Sequence, residues 1–212
     1  MSLIRRGHRE ERGMTLVEVL VASSIMGIVL LVFTTVLSSV QRGVVAQDKL
    51  NQNLDQVNLA VQELDRELRS GNVLYDPLLE NGSGAGALTS CTGCAPGYTL
   101  RVYTQTNGSN KCVLWKVAGD ELMVRSWPAG VPADATSWRV SAEHLVNVDL
   151  GEYPFALDPD PLKGDRTLDL LFAVNADLAN RPGQTVKIRA SLTGRNTSYG
   201  YPANVCYDVP DD

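Results

Sequence analysis

Two hydrophobic patterns follow one another along the first 70 residues. From Met14 to Val40 only Glu18 is charged, and Val19 to Val40 carries no charge at all. With a rise of ~1.5 Å per residue, about 20 helical residues cross a ~30 Å hydrocarbon core, so this stretch is long enough to span a membrane. After Gly43 the pattern changes: apolar residues recur at Leu50, Leu54, Val57, Val61, Leu64 and Leu68, in alternating steps of four and three. That spacing predicts the stripe of an amphipathic helix, with Asp48, Asn51, Asp55, Gln56, Asn58, Gln62, Asp65 and Arg66 between. Gly71 is placed to cap it, so the helix is expected to end near Ser70. Such a stripe can seed a free coiled coil, but it runs barely three heptads and strand-forming sequence follows. Packing beneath a sheet is the preferred reading.

Beyond the helix the period shifts from helical spacing to alternation. Residues 81–97, rich in Gly, Ser, Thr and Cys, read as a loop. Strands are predicted over Tyr98 to Thr104, Ser137 to Ser141, Leu145 to Leu150, Thr167 to Val174 and Thr185 to Leu192. A hairpin joins Cys112 to Val117 with Glu121 to Trp127 through Ala118-Gly119-Asp120. The fold class is therefore α+β: a long N-terminal helix, half transmembrane and half amphipathic, packed against a mostly antiparallel sheet. The expected segments are a basic leader at 1–13, a membrane helix at 14–40, the amphipathic half of the same helix at 41–70, and a β-rich head at 71–212.

Charge gives this layout an orientation. The formal net charge is -5, yet residues 1–13 hold Arg5, Arg6, Arg9 and Arg12 against Glu10 and Glu11, so the remainder is more acidic still. Basic residues on the N-terminal side of the apolar segment put the leader in the cytoplasm and the head outside. An acidic body with no Lys/Arg run argues against tight binding to a nucleic-acid backbone. The segment also reads as an uncleaved signal anchor, or as a secretory signal cut near Ser39, but a removable signal has an apolar core of only ~7 to 15 residues. Neither alternative accounts for Glu18. A charge at the middle of a membrane helix costs ~2.5 to 3.5 kcal/mol, and less near the interface, where Glu18 can also snorkel to the headgroups.

The string Arg12-Gly13-Met14-Thr15-Leu16-Val17-Glu18-Val19-Leu20-Val21-Ala22 resembles the class III signal of type IV prepilins and pseudopilins. The resemblance implies a pilin-like fold and two kinds of partner besides the membrane, prepilin peptidase and other pilin or pseudopilin subunits. It implies cleavage after Gly13 on the cytoplasmic side, N-methylation of Met14, and loss of the leader. It also implies that Glu18, fifth in the mature chain, pairs with the N-terminal ammonium of a neighbouring subunit. In low dielectric such a pair recovers much of the cost of the buried acid and fixes the axial register between subunits. Two departures stand out: Met14 occupies the place of the usual phenylalanine, and no proline interrupts the helix near Thr35. A weaker resemblance, resting on general layout, on Leu64-Asp65-Arg66-Glu67-Leu68-Arg69 and on a late strand at Val186 to Arg189, is to the minor pseudopilin J family of type II secretion and to PilW-like minor pilins. It implies a minor subunit acting in filament initiation or at the tip, resident first in the bacterial cytoplasmic membrane and then in a pilus or pseudopilus.

The remaining chemistry is sparse. Cys91, Cys94, Cys112 and Cys206 all follow the apolar segment, and an even number on the exported side favours disulfides. Cys91 with Cys94 and Cys112 with Cys206 is the preferred pairing, although sequence leaves all three open. A zinc site is disfavoured because Cys112 and Cys206 do not form a second close pair. Asp158, Asp160 and Asp165 invite a calcium reading, but EF-hand spacing is absent and a surface turn is preferred. His144 is the one histidine left after the leader and is read as structural or exposed, while Trp115, Trp127 and Trp138 are read as core or interface, at least two of them. No phosphate loop, dinucleotide fingerprint, HExxH or GxSxG string appears, so neither an enzymatic activity nor a cofactor is expected. The alternative from another class is a signal-anchored, single-pass extracytoplasmic binding protein or enzyme.

Overall fold

The computed structural model describes residues 13–80, 94–105, 108–160, 166–179, 181–194 and 204–210. Helix α1 runs from Leu16 to Arg69. Two compact units divide the chain, the first ending at Gln47 and the second beginning at Asp48, so residues 48–69 of α1 belong to the head.

Among the described residues of the head, eight strands pack around that part of α1. A five-stranded sheet has the order β1 (Gly71–Leu74), β2 (Thr99–Thr104), β3 (Lys111–Ala118), β4 (Glu121–Pro128) and β5 (Arg139–Ala142). After a single helical turn, α2 (Asn147–Leu150), a three-stranded sheet follows in the order β6 (Phe155–Leu157), β7 (Thr167–Val174) and β8 (Val186–Thr193). Every strand pair is antiparallel. The predicted α+β class holds, with two sheets where one was expected.

The apolar stripe does what its spacing implies. Val57, Leu64 and Leu68 are buried in the main core, and Leu50, Leu54 and Val61 pack against it. They meet Leu100, Val102, Val113, Trp115, Val117, Leu122 and Val124 of the larger sheet and Leu168, Leu170, Phe172, Val174 and Leu192 of the smaller one. Alternation along β2, β3 and β4 sends the intervening residues to the opposite face of the larger sheet. There Tyr103, Cys112, Leu114 and Trp127 form a second cluster with Tyr75, Cys94, Cys206 and Val209. Trp115 and Trp127 are thus both core residues, one on each face. Polar ties complete the seam: Arg139 reaches Glu63 of α1 at 2.6 Å, and Lys111 reaches Glu67 at 3.1 Å.

Two sequence expectations are corrected, and one omission is filled. The segment Leu145 to Leu150 is not a strand: Leu145 makes an isolated bridge to Val174, and α2 follows. The cause is Asn147, buried, whose amide donates to the carbonyls of Leu171 and Glu152 while its oxygen accepts from the Ala173 amide at 3.0 Å. One side chain thereby takes the place of a paired strand, and Gly151 at φ 63° ends the turn. Gly71 is not a left-handed cap but the first residue of β1. Its glycine is required by close approach, since a Cβ there would lie 3.0 Å from both the Leu68 carbonyl oxygen and Val102 Cγ1. Strands β1 and β6 were not anticipated, being four and three residues long.

Candidate functional site

At the N-terminal end of α1 the backbone changes conformation beside the predicted cleavage point. Gly13, Met14 and Thr15 are not helical, and the helix begins at Leu16. Thr15 caps it: its carbonyl accepts from Val19 at 3.2 Å and its hydroxyl accepts the Glu18 amide at 3.3 Å. The T-x-x-E spacing from Thr15 to Glu18 is that of a capping box, and an acid in the first turn is favoured by the helix dipole. Glu18 therefore has a local reason to sit where it does.

The apolar part of α1 has the properties of a lipid- or subunit-facing rod. Leu16, Val17, Leu20, Ile25, Leu31, Phe33 and their neighbours are all exposed in the isolated chain. The hydroxyls of Ser23, Ser24, Thr34, Thr35 and Ser38 fold back onto carbonyls three or four residues earlier, so these polar atoms need no water. By length and composition the helix can cross a membrane. Nothing among the described residues lies within 4 Å of a Cβ built on Gly13, so the fold itself does not demand glycine there.

The other predicted residues are distributed over the head. Cys112 and Cys206 are joined, Cα to Cα 5.8 Å, across a sequence separation of 94. Cys94 is buried and disulfide-bonded, whereas Cys91 lies outside the described residues. Asp158 accepts the Asp160 amide at 2.9 Å in a local turn, Asp165 lies outside the described residues, and no group of three metal-ligating side chains occurs among those described. His144 sits at φ 62°, half-exposed, 3.9 Å from Asp120, with its carbonyl accepting from Asn175.

Sequence reasoning missed a buried polar centre beneath the segment 204–210. Arg101 and Glu80 are both fully buried and meet at 3.3 Å. The Arg101 guanidinium also donates to the Cys206 carbonyl at 2.6 Å and lies 4.0 Å over the Tyr75 ring. Tyr75 in turn accepts the Cys206 amide on its hydroxyl at 3.1 Å. Burial drives the Glu80 carboxyl up to about 7, against the opposing pull of Arg101. Next along the sheet, Arg125 donates to the Pro210 carbonyl at 2.6 Å, and Arg125 and Lys116 both stack on Trp138. The one available signal was the charge at Arg101 and Arg125 within otherwise apolar strands.

Residues 8–34 match the family model of the prokaryotic N-terminal methylation motif, the class III signal of type IV pilins and pseudopilins. The chain therefore carries the N-terminal motif of type IV pilin-like proteins, on a helix long and apolar enough to cross a membrane. Neither the curated proteins nor the solved structures contain a match to it.

Proposed function

We propose that the protein is a minor pilin or pseudopilin, a non-enzymatic subunit of a type IV pilus or type II secretion-like filament that acts in filament initiation or at the tip. The methylation motif at residues 8–34 carries this reading. Prepilin peptidase cuts between Gly13 and Met14 and methylates Met14. The head is extracytoplasmic, in keeping with the arginines before the apolar segment and with the Cys112–Cys206 disulfide. Once extracted from lipid, the exposed apolar face of α1 is covered by neighbouring subunits, and Glu18 meets the N-terminal ammonium of one of them. Monomethylation leaves that amine cationic, so the pair survives processing. The large disulfide-bearing head supports minor status.

Mass spectrometry of the N-terminal peptide from protein in its native membrane tests the processing step. N-methylated Met14 as first residue is the expected result; a chain starting at Met1 or near Ser39 points to a signal anchor or a secreted protein instead. Glu18→Ala is expected to insert and be cleaved normally while its incorporation into sheared filaments falls about tenfold or more, equivalent to ~1.4 kcal/mol or more of lost contact energy. Normal incorporation would sink the pairing. Minor status predicts low copy number in the same filaments, and stoichiometric abundance refutes it.

A further inference from the structure

The smaller sheet ends on a long, unpaired strand. β8 pairs with β7 along Val186–Thr193 and has no neighbour on its other side among the described residues. The other edge strands, β1, β5 and β6, are only three or four residues long, whereas β8 has eight. An unpaired edge presents a row of free N–H and C=O groups, which proteins ordinarily blunt with a bulge, a proline or a short strand. β8 has none of these: its register with β7 runs without a shift from Val186 to Thr193, and no proline or glycine interrupts it.

Two features of β8 define what would pair with it. Alternation turns Val186, Ile188, Ala190 and Leu192 toward the core and Lys187, Arg189, Ser191 and Thr193 outward. On β7 the core-facing Leu170, Phe172 and Val174 are buried, but on β8 Val186, Ile188 and Ala190 are only partly so. A further strand with apolar residues on that side would extend the core over them. The second feature is charge. Between Leu178 and Tyr207 the chain carries Arg181, Lys187, Arg189 and Arg195 and no acid, in a protein of formal net charge -5. Lys187 reaches back to Glu152, and Asp169 lies opposite Ser191 on β7, so these acids sit on the inner side of β8. Arg189 is exposed and has no ion-pair partner among the described residues.

We propose that β8 is the docking edge for an extended, acidic segment of another protein chain, which adds to the three-stranded sheet as a further strand. Backbone pairing supplies the attachment, apolar residues at every second position cover Val186, Ile188 and Ala190, and the intervening carboxylates meet Lys187 and Arg189. A second copy of this chain is the poorer occupant, because edge-to-edge pairing of two β8 strands brings their cations together. The edge is present whether or not the chain is cleaved after Gly13.

Hydrogen exchange on the full-length protein in detergent micelles, read at the amides of Val186 to Thr193, tests the docking edge with a capped peptide of alternating valine and glutamate. At saturating peptide the amides on the open side of β8 are expected to exchange about tenfold more slowly, while those already bonded to β7 change little. The counterpart with lysine for glutamate is expected to bind about tenfold more weakly, and Arg189→Glu, an exposed change, to reverse that preference. N-methylation of two adjacent central residues of the peptide keeps its charge but removes a ladder donor, and should abolish the protection. No protection by the glutamate peptide, or an unchanged preference in Arg189→Glu, overturns the proposal. So does protection that survives N-methylation or that a thymidine oligonucleotide produces equally, since either shows plain anion binding in place of strand addition.

Discussion

Gly13→Trp is expected to accumulate in the membrane as a full-length, unmethylated precursor, with cleavage slowed about a hundredfold or more, equivalent to ~2.7 kcal/mol of lost transition-state stabilisation. The reasoning separates folding from recognition. No described residue lies within 4 Å of a Cβ at this position, so the described part of the fold leaves room for a side chain there. Under the proposed processing, steric demand at residue 13 belongs to the peptidase, whose catalytic groups must approach the backbone of a non-helical Gly13-Met14 peptide. Intact-mass analysis of membrane fractions reads the ratio of precursor to mature chain directly. Gly13→Ala should fall between the two, and wild-type processing of Gly13→Trp would show that glycine is dispensable.

Loss of the Cys112–Cys206 disulfide should have the largest effect on the stability of the head. Closing a loop across a separation of 94 residues contributes about 4.5 kcal/mol in the chain-entropy picture. For a head of this size that corresponds to a fall in Tm of roughly 10 to 15 °C. The paired Cys112→Ser, Cys206→Ser variant avoids leaving a lone thiol, and thermal unfolding with and without reductant provides the comparison. Reductant should lower the wild-type Tm and add much less to the effect in the double variant. A change of under ~3 °C would mean that Arg101 and Arg125 hold the segment 204–210 without the covalent bond.

Much of the fold was legible because local patterning and tertiary demand agree. The steps of four and three from Leu50 to Leu68 announced a buried helix face, and the Ala118-Gly119-Asp120 link announced the β3–β4 hairpin, whose glycine adopts φ 62°. The N-terminal methylation motif was legible for a different reason: Gly13, Met14 and Glu18 lie within six consecutive residues, so the pattern needs no folding to be seen. What escaped depends on partners distant in sequence. Arg101 drew no reading of its own within the strand predicted over Tyr98 to Thr104, because its cover arrives from Cys206, 105 positions later. Asn147 read as part of a strand because its effect is exerted through three backbone groups of other segments. Gly71 looked like a cap because a helix ends before it, whereas the nearness of Val102 is invisible in one dimension.

The segment 204–210 over the larger sheet also bears on the order in which the head is made. Its contacts with Tyr75, Arg101, Cys112 and Arg125 span between 85 and 131 positions, while β3 and β4 pair through a two-residue turn. Contacts so distant in sequence form late, since loop closure must precede any reward. The helix and hairpins can assemble while synthesis continues, but Arg101 and Arg125 wait, uncovered, until residue 210 has emerged on the same side of the membrane. Oxidation of Cys112 and Cys206 then becomes a report of a completed head, and an unfinished one is distinguishable from it by the free thiols of this pair.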